Sequence, residues 1–110
     1  MYDIRSYERM LGDQLRFGPY AKALERAVRR GSVVVDLGSG FGYWAVAAAL
    51  LGARRVFAIE TNPTIDIGPD FARTNGVDDR IEFIRRSSLH VELPELADVV
   101  VADLRGTLPL

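Results

Sequence analysis

The residues of this chain best suited to chemistry are Asp36-Leu37-Gly38-Ser39-Gly40-Phe41-Gly42, followed eighteen positions after Gly42 by Glu60. The glycines permit positive φ and let a ligand approach bare backbone. A helix opening directly behind such a turn points N–H groups at its occupant. Glu60 closes the next apolar run, where a carboxylate can accept both hydroxyls of a ribose. A glycine turn without a ligand and a solvated strand end are the plain alternatives. The combination of Asp36, three glycines and Glu60 at this separation instead predicts a site for a nucleotide-like ligand. The spacing narrows the ligand. A dinucleotide fingerprint has a third glycine five positions after the first; that position is Tyr43, and the third glycine comes one residue early, at Gly42. A nicotinamide-dependent oxidoreductase is therefore the weaker alternative.

These residues need elements to hold them. Val33-Val34-Val35 is an all-apolar run, as expected of a central parallel strand buried on both faces. Tyr43–Leu51 predicts a helix ending near Gly52, and Arg55–Glu60 a second strand. Arg80–Arg86 alternates as a third strand, and Asp98–Asp103 makes a fourth. Upstream, Met1–Arg30 predicts one or two helices: Tyr7, Met10, Leu11 and Leu15 fall at helical spacing. Pro19 suits the first turn of a helix ending near Gly31. Between the second and third strands, Pro63, Gly68 and Pro69 leave room for one short helix around Phe71–Asn75. Strands alternating with helices predict an α/β fold with a parallel, doubly wound sheet.

The bulk properties exclude several classes. A chain of 110 residues holds one domain at most. Its 48% apolar and 26% charged content is that of a globular protein rather than a disordered one. A formal charge of −1 creates no field for nucleic acid or an anionic membrane. Three arginine pairs (Arg29-Arg30, Arg54-Arg55, Arg85-Arg86) stand at element ends, with no aromatic-interleaved basic stripe, so nucleic acid is not the expected partner. With no cysteine there is neither disulfide nor thiolate, and no residue cluster at ligand spacing predicts a metal. The first ten residues mix both charges, unlike a secretory signal, and Trp44–Leu51 is too short to span a bilayer. A cytoplasmic location follows by elimination.

At the level of motifs the chain resembles the class I S-adenosylmethionine-dependent methyltransferases, most closely the protein arginine methyltransferases and their bacterial relatives. VVVDLGSGFG matches the first motif of that family and GARRVFAIE its ribose-binding strand; RIEFI, VELP and ADVVVADL follow in order. Met10-Leu11-Gly12-Asp13-Gln14-Leu15-Arg16 resembles an upstream helix whose arginine binds the carboxylate of the methionine moiety. The resemblance implies a Rossmann-like sheet in the order 3-2-1-4, as a truncated methyltransferase fold with N-terminal helices. Residues 1–31 would be a helical segment covering the cofactor, and 32–110 an incomplete S-adenosylmethionine-binding domain. It implies that Arg16 holds the ligand carboxylate and that Asp36, Gly38, Ser39 and Gly40 line the methionine portion. Glu60 would bind the ribose, Ser88 the adenine edge, and Met10 would stand near the sulfonium. Asp103 is implied as the carboxylate that orients a nucleophilic nitrogen.

The same resemblance exposes departures. The adenine-binding carboxylate of the family falls on Leu89, beside the lone His90. The helix after Glu60 is interrupted by Gly68-Pro69, and the aromatic N-terminal motif is reduced to Tyr2 and Tyr7. The first substrate-clamping glutamate falls on Asp103, and the second lies beyond Leu110. The expectation is therefore the N-terminal part of a longer enzyme, the 110 residues alone being inactive, with arginine or another nitrogen of a protein as methyl acceptor. A binding module without turnover is the alternative. Apolar Val99–Val101 on an unpaired edge would drive self-association.

Overall fold

The structure, a computed structural model, describes residues 18–87 and 91–102. The first helix, α1 (Pro19–Ala27), starts with Gly18 as N-cap and Pro19 at its first position, where a missing N–H costs nothing. It ends four residues earlier than the glycine signal suggests. Val28 is already extended, and Arg29 N–H donates to Ser32 Oγ while Ser32 N–H returns to the Arg29 carbonyl. The Ser32 hydroxyl thus satisfies a tight turn that helix continuation would forbid.

Four strands, β1 (Val33–Leu37), β2 (Arg55–Ile59), β3 (Ile81–Ile84) and β4 (Val99–Ala102), form one parallel sheet in the order β3-β2-β1-β4. This is the expected 3-2-1-4 arrangement. Register places Asp36 between Ala58 and Val101, and Leu37 between Ile59 and Ala102. Ile59 in turn pairs with Ile84. The start of β1 is locked by Asp98, whose Oδ2 accepts from Val33 N–H and whose own N–H donates to the Val33 carbonyl, both at 2.8 Å.

One sheet face carries the described helices. Helix α2 (Tyr43–Leu50) is buried at every position from Trp44 to Ala49, and its alanines let it lie close against Val34, Val56 and Ala58. Ala21 and Leu24 of α1 join this core, with the Tyr20 and Trp44 rings 4.5 Å apart. The opposite face buries Val33, Val35, Phe57 and Ile59, covered by Val91 and Leu93 of the segment before β4. So β1 is buried on both sides, as its valine run predicts. Among the described residues no helix is long and apolar enough to cross a membrane.

The Pro- and Gly-rich stretch after β2 is helical throughout. A 3-10 turn, Pro63–Ile67, passes directly into α3 (Gly68–Thr74), so Gly68-Pro69 changes the helix type instead of breaking it. Gly68 is required there because a Cβ would overlap the Phe83 ring of β3. The expected water-exposed patch on β4 is smaller than Val99–Val101: Val101 is 4% exposed and Val99 packs on the core, leaving Val100 at 60%. Strand alternation turns only that middle valine outward.

Candidate functional site

A cleft of about 310 Å³ opens at the carboxyl ends of the four strands, the place where open α/β sheets bind ligands. Its apolar lining is Leu37, Ile59 and Ala102, one side chain from the end of each of β1, β2 and β4. Its polar lining is Glu60, Thr61, Arg86 and Ser87, with the backbone of Gly38 closing the β1 side.

The glycine loop is held in place by β2. Gly38 N–H and Ser39 N–H both donate to the Ile59 carbonyl, at 2.9 and 3.0 Å. Gly40 N–H donates to Glu60 Oε1 at 2.9 Å, and Gly42 N–H closes back onto the Ser39 carbonyl. Gly42 caps α2 in the left-handed region (φ 95°), and a Cβ there would stand 2.8 Å from a Phe83 ring carbon. The third glycine therefore serves close helix–strand packing, though it stands one position early for a dinucleotide fingerprint. Phe41 anchors the loop by an edge contact on Phe71 of α3.

These bonds settle how the loop can act. The N–H groups of Gly38, Ser39, Gly40 and Gly42 are all engaged within the fold, so these four do not point at a ligand. A pyrophosphate needs such donors free. This loop offers a smooth backbone wall, suited to a ligand without phosphates. One polar group is left over: Ser39 is 9% exposed and its Oγ has no hydrogen-bond partner. Buried hydroxyls are normally paired, and this one lies in the loop beside the cleft. Gly40 adds room, since a Cβ there would meet nothing within 4 Å.

Glu60 is more than a strand end. Its Oε1 takes Gly40 N–H, and its Oε2 takes Thr61 N–H (2.9 Å) and Asn62 N–H (3.1 Å). The carboxylate ties the glycine loop to the turn after β2 and keeps acceptor capacity toward the cleft. Asp36 is 2% exposed and sits on the helix-bearing face, one residue before the cleft-lining Leu37. Gly38, Ser39, Gly40 and Glu60 are thus brought together as expected, with Asp36 beneath them. Arg16, Met10, Ser88 and Asp103 lie outside the described residues, as do Leu89, His90, Tyr2 and Tyr7. Sequence reasoning missed Thr61, Arg86 and Ser87. Their signal is positional: Thr61 follows the carboxyl end of β2, beside the strand that carries the glycine loop, and Arg86 and Ser87 follow that of β3, one strand further out.

Comparison with known proteins places this architecture. The family model described as ribosomal protein L11 methyltransferase (PrmA) matches residues 21–105. Protein arginine N-methyltransferase PRMT10 of Oryza sativa subsp. japonica is 38% identical over 99 residues, covering 88% of this chain and 26% of its own length. The solved Trypanosoma brucei PRMT1 enzyme-prozyme heterotetrameric complex with AdoHcy superposes with a TM-score of 0.75 at 28% identity, covering 94% of this chain and 32% of that one. The ribosomal protein L11 methylase of Lactobacillus delbrueckii subsp. bulgaricus superposes at 0.65 with 30% identity, covering 74% and 42%. The chain spans about a quarter of the length of the rice relative.

Proposed function

The chain belongs to the ribosomal protein L11 methyltransferase (PrmA) family of class I S-adenosylmethionine-dependent methyltransferases, and from that premise we propose that its cleft binds S-adenosylmethionine for methyl transfer to a protein nitrogen, arginine first. The observation that carries the reading is the pairing of a phosphate-indifferent glycine loop with the braced carboxylate of Glu60. The loop N–H groups are committed inside the fold, while Glu60 retains lone pairs for a diol.

The residues fit such a ligand, the test being the orphaned Ser39 Oγ and the open space at Gly40. Glu60 would accept the ribose hydroxyls. Gly38, Ser39 and Gly40, with Asp36 beneath, would line the methionine portion, where Arg16 would pair with its carboxylate. Met10 would stand near the sulfonium and Ser88 at the adenine edge. Asp103 would orient the attacking nitrogen and accept its developing charge. When bound, the cofactor supplies an already activated methyl group. The protein then contributes alignment and electrostatics rather than a nucleophile of its own. Action on protein arginine is what relatives named arginine N-methyltransferases suggest. A cytoplasmic location accords with this reading.

Calorimetric titration with S-adenosylhomocysteine and with NADH tests the cofactor. Binding of the first and not the second is expected; tight NADH binding would favour an oxidoreductase. Radiolabelled methyl transfer to arginine-rich peptides, by a polypeptide that carries this chain, tests the acceptor. Cofactor binding without transfer to any protein would leave a binding module.

A further inference from the structure

We propose that Arg86 recognises the base of the bound nucleoside, its guanidinium lying against the purine ring. The inference rests on the reading of the cleft as an S-adenosylmethionine site and names one of its specificity residues.

Among the described arginines, Arg86 is the one that lines the cleft. Arg54, Arg55, Arg73 and Arg85 each face a carboxylate, Arg80 donates to the Ala49 carbonyl, and Arg26, Arg29 and Arg30 are not part of the cleft lining. The Arg86 guanidinium makes no hydrogen bond or ion pair among the described residues, although it lines the cleft beside Glu60. No ion pair joins it to Glu60, whose carboxylate accepts from the backbone of Gly40, Thr61 and Asn62. The cleft therefore holds a pinned carboxylate and an unspent planar cation.

Their relative placement is fixed. The Ile84 carbonyl accepts from Glu60 N–H and from Arg86 N–H, each at 3.1 Å, so both residues start from one anchoring point at the end of β3. In the order β3-β2-β1, Glu60 stands between the glycine loop on one side and Arg86 on the other. A ribose held by Glu60 has two substituents to dispose. If one runs along the loop toward β1, the other runs toward Arg86 and Ser87.

The chemistry at that end selects a base. A guanidinium is planar, stacks on aromatic faces and donates to ring nitrogens. A phosphate there would meet the neighbouring Glu60 charge, whereas a neutral purine would not. Thr61, whose N–H is held by Glu60, lines the same cleft.

The test is affinity for S-adenosylhomocysteine by calorimetry and for adenosine by ligand-observed NMR, in wild type, R86A and R86K. Loss of a stacked guanidinium should weaken both ligands by roughly 3- to 30-fold in R86A. R86K, which keeps the charge and loses the plane, should stay nearer to R86A than to wild type. The melting temperature of R86A should match wild type, since Arg86 supports no other residue. Equal affinities in R86A and wild type would overturn the inference while leaving the cofactor reading standing. A loss confined to S-adenosylhomocysteine would also overturn it, by assigning Arg86 to the amino-acid end. A wild-type protein that binds neither ligand would defeat the cofactor reading, and this inference with it.

Discussion

Replacing Glu60 by alanine should destabilise the protein clearly more than replacing it by glutamine. A glutamine in the same rotamer presents one oxygen and one NH2 group. Glu60 uses one oxygen for Gly40 N–H and the other for Thr61 and Asn62 N–H, at 2.9, 2.9 and 3.1 Å. Whichever way the amide is turned, its NH2 group faces a backbone donor. Water can replace the bonds to Thr61 and Asn62, which are exposed, but reaches the part-buried Gly40 N–H less readily. A hydrogen bond to a charged group is worth about 1.5–3 kcal/mol, and an orphaned buried donor costs about 1–3 kcal/mol. The expected loss for Glu60→Ala is therefore about 1–3 kcal/mol, dominated by Gly40, and it is smaller for Glu60→Gln, whose amide oxygen can keep the Gly40 bond while water takes over Thr61 and Asn62. In a domain of this size each kcal/mol lowers the melting temperature by about 4–8 °C. Denaturant melts and calorimetry of wild type, Glu60→Gln and Glu60→Ala measure it. A Glu60→Ala protein within about 0.5 kcal/mol of wild type, the range of inconsequential surface changes, would refute the brace. The Glu60→Ala variant should also bind S-adenosylmethionine about 1–3 kcal/mol more weakly, because a missing diol acceptor compounds a loosened loop.

Three further outcomes are expected. Gly68→Ala should cost about 1–3 kcal/mol by overpacking against Phe83, and a denaturant melt of Gly68→Ala combined with Phe83→Leu should recover part of that loss. Arg80 donates to the carbonyls of Ala49 (3.0 Å) and Ala53 (3.5 Å) at the end of α2; Arg80→Ala should lower stability by about 1–2 kcal/mol in chemical denaturation while cofactor affinity is unchanged. The outer edge of β4 has no strand partner among the described residues, and Val100 is 60% exposed. Sedimentation at rising concentration should therefore show association that Val100→Lys suppresses; a monomer at every concentration would mean the edge is protected.

The sheet was legible because its signals are local and redundant. Val33–Val35 could only be a strand buried on both faces, and the glycine loop fixed where the next helix had to start. The third and fourth strands were each placed within two residues of their ends, the ambiguity being the polar residues that flank them. What stayed hidden depends on contacts between distant residues. The sequence around Gly68-Pro69 looks like a helix break because nothing local reveals that Phe83 needs the space. Helix α1 stops early because Ser32 bonds back to Arg29, a choice invisible to helical periodicity. In the site, Glu60 and the glycines were legible from spacing. Their commitment to each other was not, since it requires knowing that the loop donors face the Ile59 carbonyl and the Glu60 carboxylate. The cleft-lining Arg86 was masked by its twin, Arg85, which pairs with Asp66 across the surface.

The internally bonded glycine loop also bears on how fast a ligand can arrive. Disordered phosphate-binding loops pay an ordering entropy at the moment of capture. Here the backbone donors of Gly38, Ser39, Gly40 and Gly42 are already spent, so the wall has the same shape before and after capture. Association then resembles docking onto a finished surface, and no slow loop-closing phase should precede it. The amide protons of these four residues should exchange slowly with solvent in the free protein, and a ligand should add little further protection.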